Sequence, residues 1–184
     1  PFRLFPQYRQ YGSIHADNKK QLMIVGNSAS LTGNHITIFS LLSKLDLSNF
    51  SQIVTPLSYG NAKYASHLKD LGTSLFGVKF KPLLHFMPIK EYYQLLSKSS
   101  VCIYGNNRQE AVGNILVALF MGAKVFLKES NPLYLYYKSM GINVYKLSEL
   151  NSEIATPLSR EEIEANRLTL RCRYSKTKLI SLIL

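Results

Sequence analysis

The sequence is poor in acidic residues and in cysteine, and it has no long hydrophobic run. It contains 11 Asp and Glu against 22 Lys and Arg, which gives a formal net charge of +11. Such a basic balance favours an anionic partner, for example a phosphorylated small molecule, a nucleic acid or an anionic lipid. The two cysteines, Cys102 and Cys172, do not form a disulfide framework, which is typical of a reducing compartment.

Several functional signatures are absent as well. The histidines and cysteines form no HxxxH or CxxC pair, so the sequence predicts no zinc site. It has neither a GxGxxG fingerprint nor a Walker loop, which argues against NAD and ATP. The longest apolar run, residues 115–123, is far too short to span a bilayer. Because the first residue is Pro1 and no signal peptide follows, we expect a piece of a longer chain.

Short apolar runs alternate with helical patterns from about residue 21 to 150. The predicted strands are residues 22–25, a run from 53, and 75–80, 101–104, 123–127 and 143–146; the predicted helices are 35–45, 61–71, 88–99, 109–121 and 132–140. This alternation predicts βαβ units and a parallel sheet with helices on both faces. The expected fold class is therefore α/β, a Rossmann-like doubly wound domain.

Three segments of different character divide the chain. Residues 1–20 are predicted to be a linker, residues 21–150 the Rossmann-like domain, and residues 151–184 a tail with a basic helix at 159–183 capped by Ser159. The tail has no acid after Glu164, and its apolar residues favour docking on protein or lipid. No RNA- or DNA-binding motif is present, so nucleic acid is not an expected partner.

The first candidate site is the polar loop after the first predicted strand. It contains Gly26, Asn27, Ser28, Asn34 and His35, and a helix is predicted to follow. Glycine, amide and hydroxyl groups before a helix N-terminus suit a phosphate or pyrophosphate. An ordinary capped turn explains the loop equally well. For His35, contact with a diphosphate or sugar and a partly exposed capping role are both open.

A second polar loop, residues 104–114, follows a predicted buried strand. Arg108 could pair with a phosphate, Glu110 could accept from a ribose or sugar hydroxyl, and Gly113 could let a ligand lie against the backbone. Gln109 and Asn114 add further polar groups. The alternative is that Glu110 only complements the helix dipole while Arg108 is solvated. The density of polar residues favours the functional interpretation.

Two further places are weaker candidates. In the third loop, residues 128–132, Glu129 could bind a hydroxylated ligand, but Asn131 as a helix cap before Pro132 explains the pattern better. Tyr59 ends the second predicted strand and could stack on a base. A tyrosine in such a position more often packs.

Four segments resemble, in order and spacing, the C-terminal half of the TDP-N-acetylfucosamine:lipid II N-acetylfucosaminyltransferases. They are VGNSASLTGNHITIFSLL, IVTPLSYGNAKYASHLKDLG, MPIKEYYQLLSKSS and IYGNNRQEAVGNILVALFMGAKVFLKESNPLY, and they cover about residues 20–150. The resemblance implies the donor-binding domain of a GT-B glycosyltransferase, which has two Rossmann-like domains. It also implies an enzyme that moves an amino-deoxy sugar from a TDP-linked donor to a polyprenyl-diphosphate-linked acceptor, as in enterobacterial common antigen-like surface polysaccharides.

The resemblance and the loops together give a set of candidate residues. The donor-binding candidates are Gly26, Asn27, Ser28, Asn34, Tyr59, Gln109, Glu110, Gly113, Asn114, Glu129 and Asn131. Arg108 and His35 are the catalytic candidates, because they could stabilise the charge of the departing diphosphate. The sequence has no Asp-x-Asp pair, so we expect a reaction that needs no metal and no cofactor.

The expected partners follow from the same resemblance. They are a nucleotide-sugar donor, a lipid-linked saccharide acceptor, an N-terminal domain of the same chain and an anionic membrane surface. We expect a peripheral location on the inner face of a bacterial plasma membrane. The fragment alone should bind donor but turn over little, because the base for the acceptor hydroxyl is expected in the other domain. The alternative is a non-catalytic nucleotide- or lipid-phosphate-binding module.

Overall fold

Six strands form one parallel sheet in the computed structural model, which describes residues 21–174. The strands are β1 (Gln21–Val25), β2 (Phe50–Pro56), β3 (Phe80–Leu83), β4 (Ser99–Tyr104), β5 (Lys124–Leu127) and β6 (Tyr145–Lys146). They lie in the order β3-β2-β1-β4-β5-β6, and all paired neighbours are parallel. This is the strand order of a Rossmann-type doubly wound sheet, so the predicted fold class is confirmed.

Helices cover both faces of this sheet. They are α1 (His35–Leu42), α2 (Ala62–Phe76), α3 (Ile89–Ser97), α4 (Val112–Met121), α5 (Pro132–Ser139) and α6 (Arg160–Tyr174). Successive residues of a strand point to opposite faces. In β1, Met23 and Val25 therefore pack with α1 and α2, whereas Ile24 packs with α4 and α5. Each face buries its own apolar cluster, which makes the sheet a rigid support for its loops.

The C-terminal helix α6 packs on α4. Arg167 Nε donates a hydrogen bond to the Phe120 carbonyl at 2.8 Å, and Leu170 is fully buried. Ser159 Oγ accepts from the Glu162 amide at 3.2 Å, and a Glu162 carboxylate oxygen accepts from the Ser159 amide at 2.8 Å. This reciprocal pair is a capping box and confirms Ser159 as the cap. The part of the predicted helix after residue 174 lies outside the described residues.

Two predictions around Gly72 are wrong. The second helix does not stop there but continues to Phe76, and residues 75–80 are not a strand. A Cβ on Gly72 would lie 2.3 Å from the Phe80 ring, so this glycine permits close packing and does not end the helix. The helix ends at Gly77, which has a left-handed φ of 55°. The third strand is β3, which tolerates Pro82 because it lies at the edge of the sheet.

Other boundaries shift by a few residues. The helix predicted from residue 109 begins at Val112, because Ala111 has a left-handed φ of 58° that is incompatible with a helix interior. The last strand is shorter than predicted. The division into segments 1–20, 21–150 and 151–184 stays a prediction, and residues 1–20 lie outside the described part. Within residues 21–174, no helix is both long and apolar enough to cross a bilayer.

Candidate functional site

The loops after β1 and β4 meet at the carboxyl edge of the sheet, where these two central strands are paired. The Gly26 amide donates to the Ile103 carbonyl at 2.8 Å. A Cβ on Gly105 would lie 2.5 Å from the Gly33 carbonyl oxygen, so only glycine allows the two loops to approach this closely. The structure therefore brings the first and second predicted loops together.

A carboxylate links these loops. Thr32 Oγ1 donates towards the two oxygens of Glu110 at 3.0 and 2.9 Å, and Asn106 Nδ2 donates to one of them at 2.8 Å. The Thr32 hydroxyl also lies 2.7 Å from Ser30 Oγ. Glu110, predicted to meet a ligand hydroxyl, thus already has two protein partners that hold its carboxylate half-buried. Its contact with a donor stays a prediction.

Asn34 provides a second link between the same loops. Its Nδ2 donates to the Gly105 carbonyl at 2.6 Å and to the Thr32 carbonyl at 3.1 Å. The residue has a left-handed φ of 51°, a conformation that asparagine tolerates better than most residues. Asn34 precedes α1 and therefore fixes both the shape of the first loop and the start of the helix.

The N-terminus of α4 points out of the second loop without a cap. Ala111 at the cap position makes no side-chain hydrogen bond, and the first turn contains no acidic residue. Val112 and Gly113 are exposed, and nothing lies within 4 Å of a Cβ built on Gly113. Arg108 and Gln109 are exposed in the preceding loop, and Asn114 is half-buried in the first turn. Free amide groups, the positive end of the helix dipole and a guanidinium together favour an anion.

Asn131 supports this arrangement from the third loop. It is 1% exposed, and its Oδ1 accepts from the Leu133 amide at 2.9 Å, as predicted for the cap of α5. Its Nδ2 donates to the carbonyls of Asn106 and Arg108, both at 2.9 Å. The sequence gives no sign of this second role. Asn131 thus holds the backbone of the second loop instead of facing solvent.

Glu129 points away from the second loop. Its carboxylate accepts from the Ser148 amide at 3.0 Å and from the Ser148 hydroxyl, in the segment after β6. Burial raises the pKa of this carboxyl, but the hydrogen bonds from Ser148 and the charge of Lys146 outweigh burial, and the pKa is lowered. The structure therefore does not bring Glu129 together with Glu110 and Asn34.

His35 is fully buried, so the partly exposed capping role is wrong, and the cap of α1 is Asn34. Its ring fits where side chains on two glycines would stand: a Cβ on Gly26 would lie 2.1 Å from Nε2, and one on Gly33 would lie 2.5 Å from Cε1. The ring also makes an edge contact with Tyr64 at 5.9 Å between centroids.

Burial sets the protonation state of His35. It lowers the pKa of the imidazole to about 4, and neither ring nitrogen has a hydrogen-bond partner. The ring is therefore neutral near pH 7 and supplies no positive charge in this conformation. Its contact with a diphosphate stays a prediction.

The loop after β2 completes the edge. The Ala29 amide donates to the Tyr59 carbonyl at 2.6 Å, which ties this loop to the first one. The side chain of Tyr59 is 80% exposed, so it does not pack in the core and is accessible for stacking. Asn27 is half-buried and Ser28 is buried in the first loop.

Sequence reasoning missed Thr32 and Asn106 as site residues. Both stand in the loops that were singled out, but their partner Glu110 is 78 residues from Thr32 in the chain. Asn106 is fully buried, and its Oδ1 has no hydrogen-bond partner. Among residues 21–174, no three His, Cys, Asp or Glu side chains gather in a way that could hold a metal ion. Metal independence stays a prediction.

Residues 1–168 match the family described as 4-alpha-L-fucosyltransferase, glycosyl transferase group 56. The chain belongs to this family. The matched residues include the two linked loops and the uncapped N-terminus of α4. The resemblance noted from the motifs is confirmed at the level of a glycosyltransferase family, and its more specific form, a transferase of TDP-N-acetylfucosamine, stays a prediction.

Solved structures share the fold of this family member. They include a glycosyltransferase from Rickettsia africae (TM-score 0.63, 14% identity, 99% of this chain and 51% of that one) and Anabaena HepE in complex with UDP-glucose (TM-score 0.66, 14% identity, 99% and 50%). A third is a UDP-forming trehalose-phosphate synthase from Burkholderia vietnamiensis (TM-score 0.63, 10% identity, 89% and 43%). The chain spans about half the length of these structures or less.

Proposed function

We propose that this chain is the donor-binding part of a fucosyltransferase-type enzyme that takes its sugar from a nucleotide diphosphate. The preferred donor is a TDP-linked amino-deoxy sugar, as the motif resemblance implies. Membership of the fucosyltransferase family supports sugar transfer. One structure of the same fold contains UDP-glucose, which supports a nucleotide-sugar donor.

The uncapped N-terminus of α4 carries the proposal. Its exposed first turn offers amide donors that lack side-chain partners, and Arg108 stands in the exposed loop that leads into it. A diphosphate carries the charge that such a terminus and a guanidinium stabilise. Tyr59, exposed at the same edge, is a stacking surface for the nucleobase.

Sugar transfer requires that this site stabilise the diphosphate as it leaves. The oxygen of an acceptor hydroxyl forms a bond to the anomeric carbon, and the bond from that carbon to the diphosphate oxygen breaks. The hydroxyl proton passes to a base in a second Rossmann-like domain, and the nucleoside diphosphate leaves with the electron pair. Because negative charge grows on the leaving group, amide groups of α4 and Arg108 stabilise the transition state more than the bound donor.

The remaining partners belong to the same proposal. The acceptor is a polyprenyl-diphosphate-linked saccharide, presented at the inner face of a bacterial plasma membrane. A second Rossmann-like domain of the same chain supplies the acceptor site. Both lipid diphosphates and anionic headgroups suit a chain with a net charge of +11.

Titration calorimetry of the chain with TDP, UDP and GDP tests the donor site. We expect binding of at least one, and Arg108→Ala should weaken it by about 1.5–3 kcal/mol, the range for a hydrogen bond to a charged group. Arg160→Ala is the matched control, because Arg160 is exposed at the start of α6. Absence of binding to all three nucleotides, or equal effects of the two variants, contradicts the proposed site.

A further inference from the structure

Exposed hydrophobic side chains gather directly after the edge strand β3. Leu84, Phe86 and Ile89 are 40%, 86% and 58% exposed within six consecutive positions. We call these three residues the β3–α3 patch. A cluster of large apolar side chains facing solvent marks a contact surface more often than scattered single ones do.

Basic residues flank the β3–α3 patch. Lys81, His85 and Lys90 are exposed between residues 81 and 90, a stretch that contains no Asp or Glu and that Glu91 follows directly. The core of a protein interface is depleted in lysine. A membrane surface differs, since apolar side chains enter the headgroup region while lysines meet anionic lipid. The interleaving of the two types therefore favours lipid.

The position of the patch leaves the N-terminus of α4 open. The patch follows β3 at the edge of the sheet, whereas the linked loops follow β1 and β4, with β2 in between. A surface that contacts the β3–α3 patch can therefore lie beside the donor loops without covering α4.

We propose that the β3–α3 patch rests on an anionic lipid membrane, with Phe86 inserted at headgroup level and Lys81 and Lys90 against the headgroups. This inference builds on the membrane partner in the proposed function and names the surface that makes the contact. It orients the carboxyl edge of the sheet towards the bilayer, from which a lipid-linked acceptor would reach the reaction.

Co-sedimentation of the 184-residue chain with phosphatidylcholine vesicles, with and without phosphatidylglycerol, tests this. We expect binding that needs phosphatidylglycerol and weakens with salt. Phe86→Glu should weaken it at least about tenfold, because burial of a Phe side chain is lost. Leu135→Glu is the matched control, since Leu135 is 67% exposed on α5, away from the patch. Lys90→Gln should weaken vesicle binding about fivefold, whereas Lys138→Gln should leave it unchanged.

Three results overturn the inference. One is a wild-type chain that does not bind anionic vesicles. The second is a Phe86→Glu variant that binds them as tightly as wild type. The third is a wild-type dimer, seen by light scattering, that Phe86→Glu dissociates, because the patch is then a protein interface. Nucleotide affinity of Phe86→Glu, measured in parallel, should equal that of wild type, so donor binding and membrane binding can fail separately.

Discussion

The link between Thr32 and Glu110 joins the loops after β1 and β4, and its removal is the sharpest test of the site. Thr32→Val keeps the shape of the side chain but removes the hydroxyl that donates to the carboxylate at 2.9–3.0 Å. A hydrogen bond to a charged group contributes about 1.5–3 kcal/mol when it is well buried. Because both residues are only half-buried, water compensates in part. We expect a loss of about 1–2 kcal/mol in the free energy of unfolding.

Urea denaturation and nucleotide calorimetry measure the two consequences of this change. For a domain of this size the melting temperature should fall by about 2–4 °C for each kcal/mol. Nucleotide affinity should fall as well, because the first loop is no longer held against the second. Thr32→Ser should restore both properties, whereas Thr37→Val, at an exposed position of α1, should change neither. A Thr32→Val chain with wild-type stability and wild-type affinity refutes the reasoning.

The remaining predictions concern buried groups. Burial lowers the pKa of His35 to about 4, so the unfolded chain binds a proton more readily than the folded chain between pH 6.5 and 4. The stability that the neutral ring contributes is therefore full above pH 6.5 and is lost as the pH falls towards 4. His35→Gln should flatten the dependence of the unfolding free energy on pH in this window. Gly72→Ala should lower the free energy of unfolding, measured in urea, by about 1–3 kcal/mol, because the added Cβ meets the Phe80 ring. This loss should exceed the gain from the better helix propensity of alanine. A variant that is more stable than wild type contradicts the packing of Gly72 against Phe80. Asn131→Ala should lower the free energy of unfolding by about 2–3 kcal/mol and Asn61→Ala by about 1 kcal/mol, because Asn61 only caps α2 through one bond whereas Asn131 also holds the second loop. Equal losses contradict this second role of Asn131.

Most of the fold could be predicted from the sequence, because buried parallel strands have a strong local signature. The runs around Ile24 and Ile103 are apolar on both faces, and turn residues separate them from helical patterns. The prediction failed around Gly72, where a glycine looks like a helix stop. Its reason is a contact with Phe80, eight positions further along the chain, which no local pattern contains.

The candidate site was predicted as loops but not as contacts. Polar and glycine-rich segments after buried strands indicated where a ligand could bind. Which side chains pair across those loops depends on strand order, and Thr32 and Glu110 meet only because β1 and β4 are neighbours. The burial of His35 was equally hidden, since it requires that Gly26 and Gly33 leave room for the ring.

The loops of the carboxyl edge are fixed before any ligand arrives, and this bears on how the site would work. Asn34, Glu110 and Asn131 each fasten one loop to the next through side-chain hydrogen bonds. A binding site whose loops are already ordered loses less entropy when it takes up a ligand. The N-terminus of α4 is different, because it follows Ala111 in a left-handed conformation that costs a non-glycine residue about 1 kcal/mol or more. Backbone strain at Ala111, directly before a helix start without a side-chain cap, is what we expect where the diphosphate binds, since the surrounding links hold the amide groups in place to meet its charge.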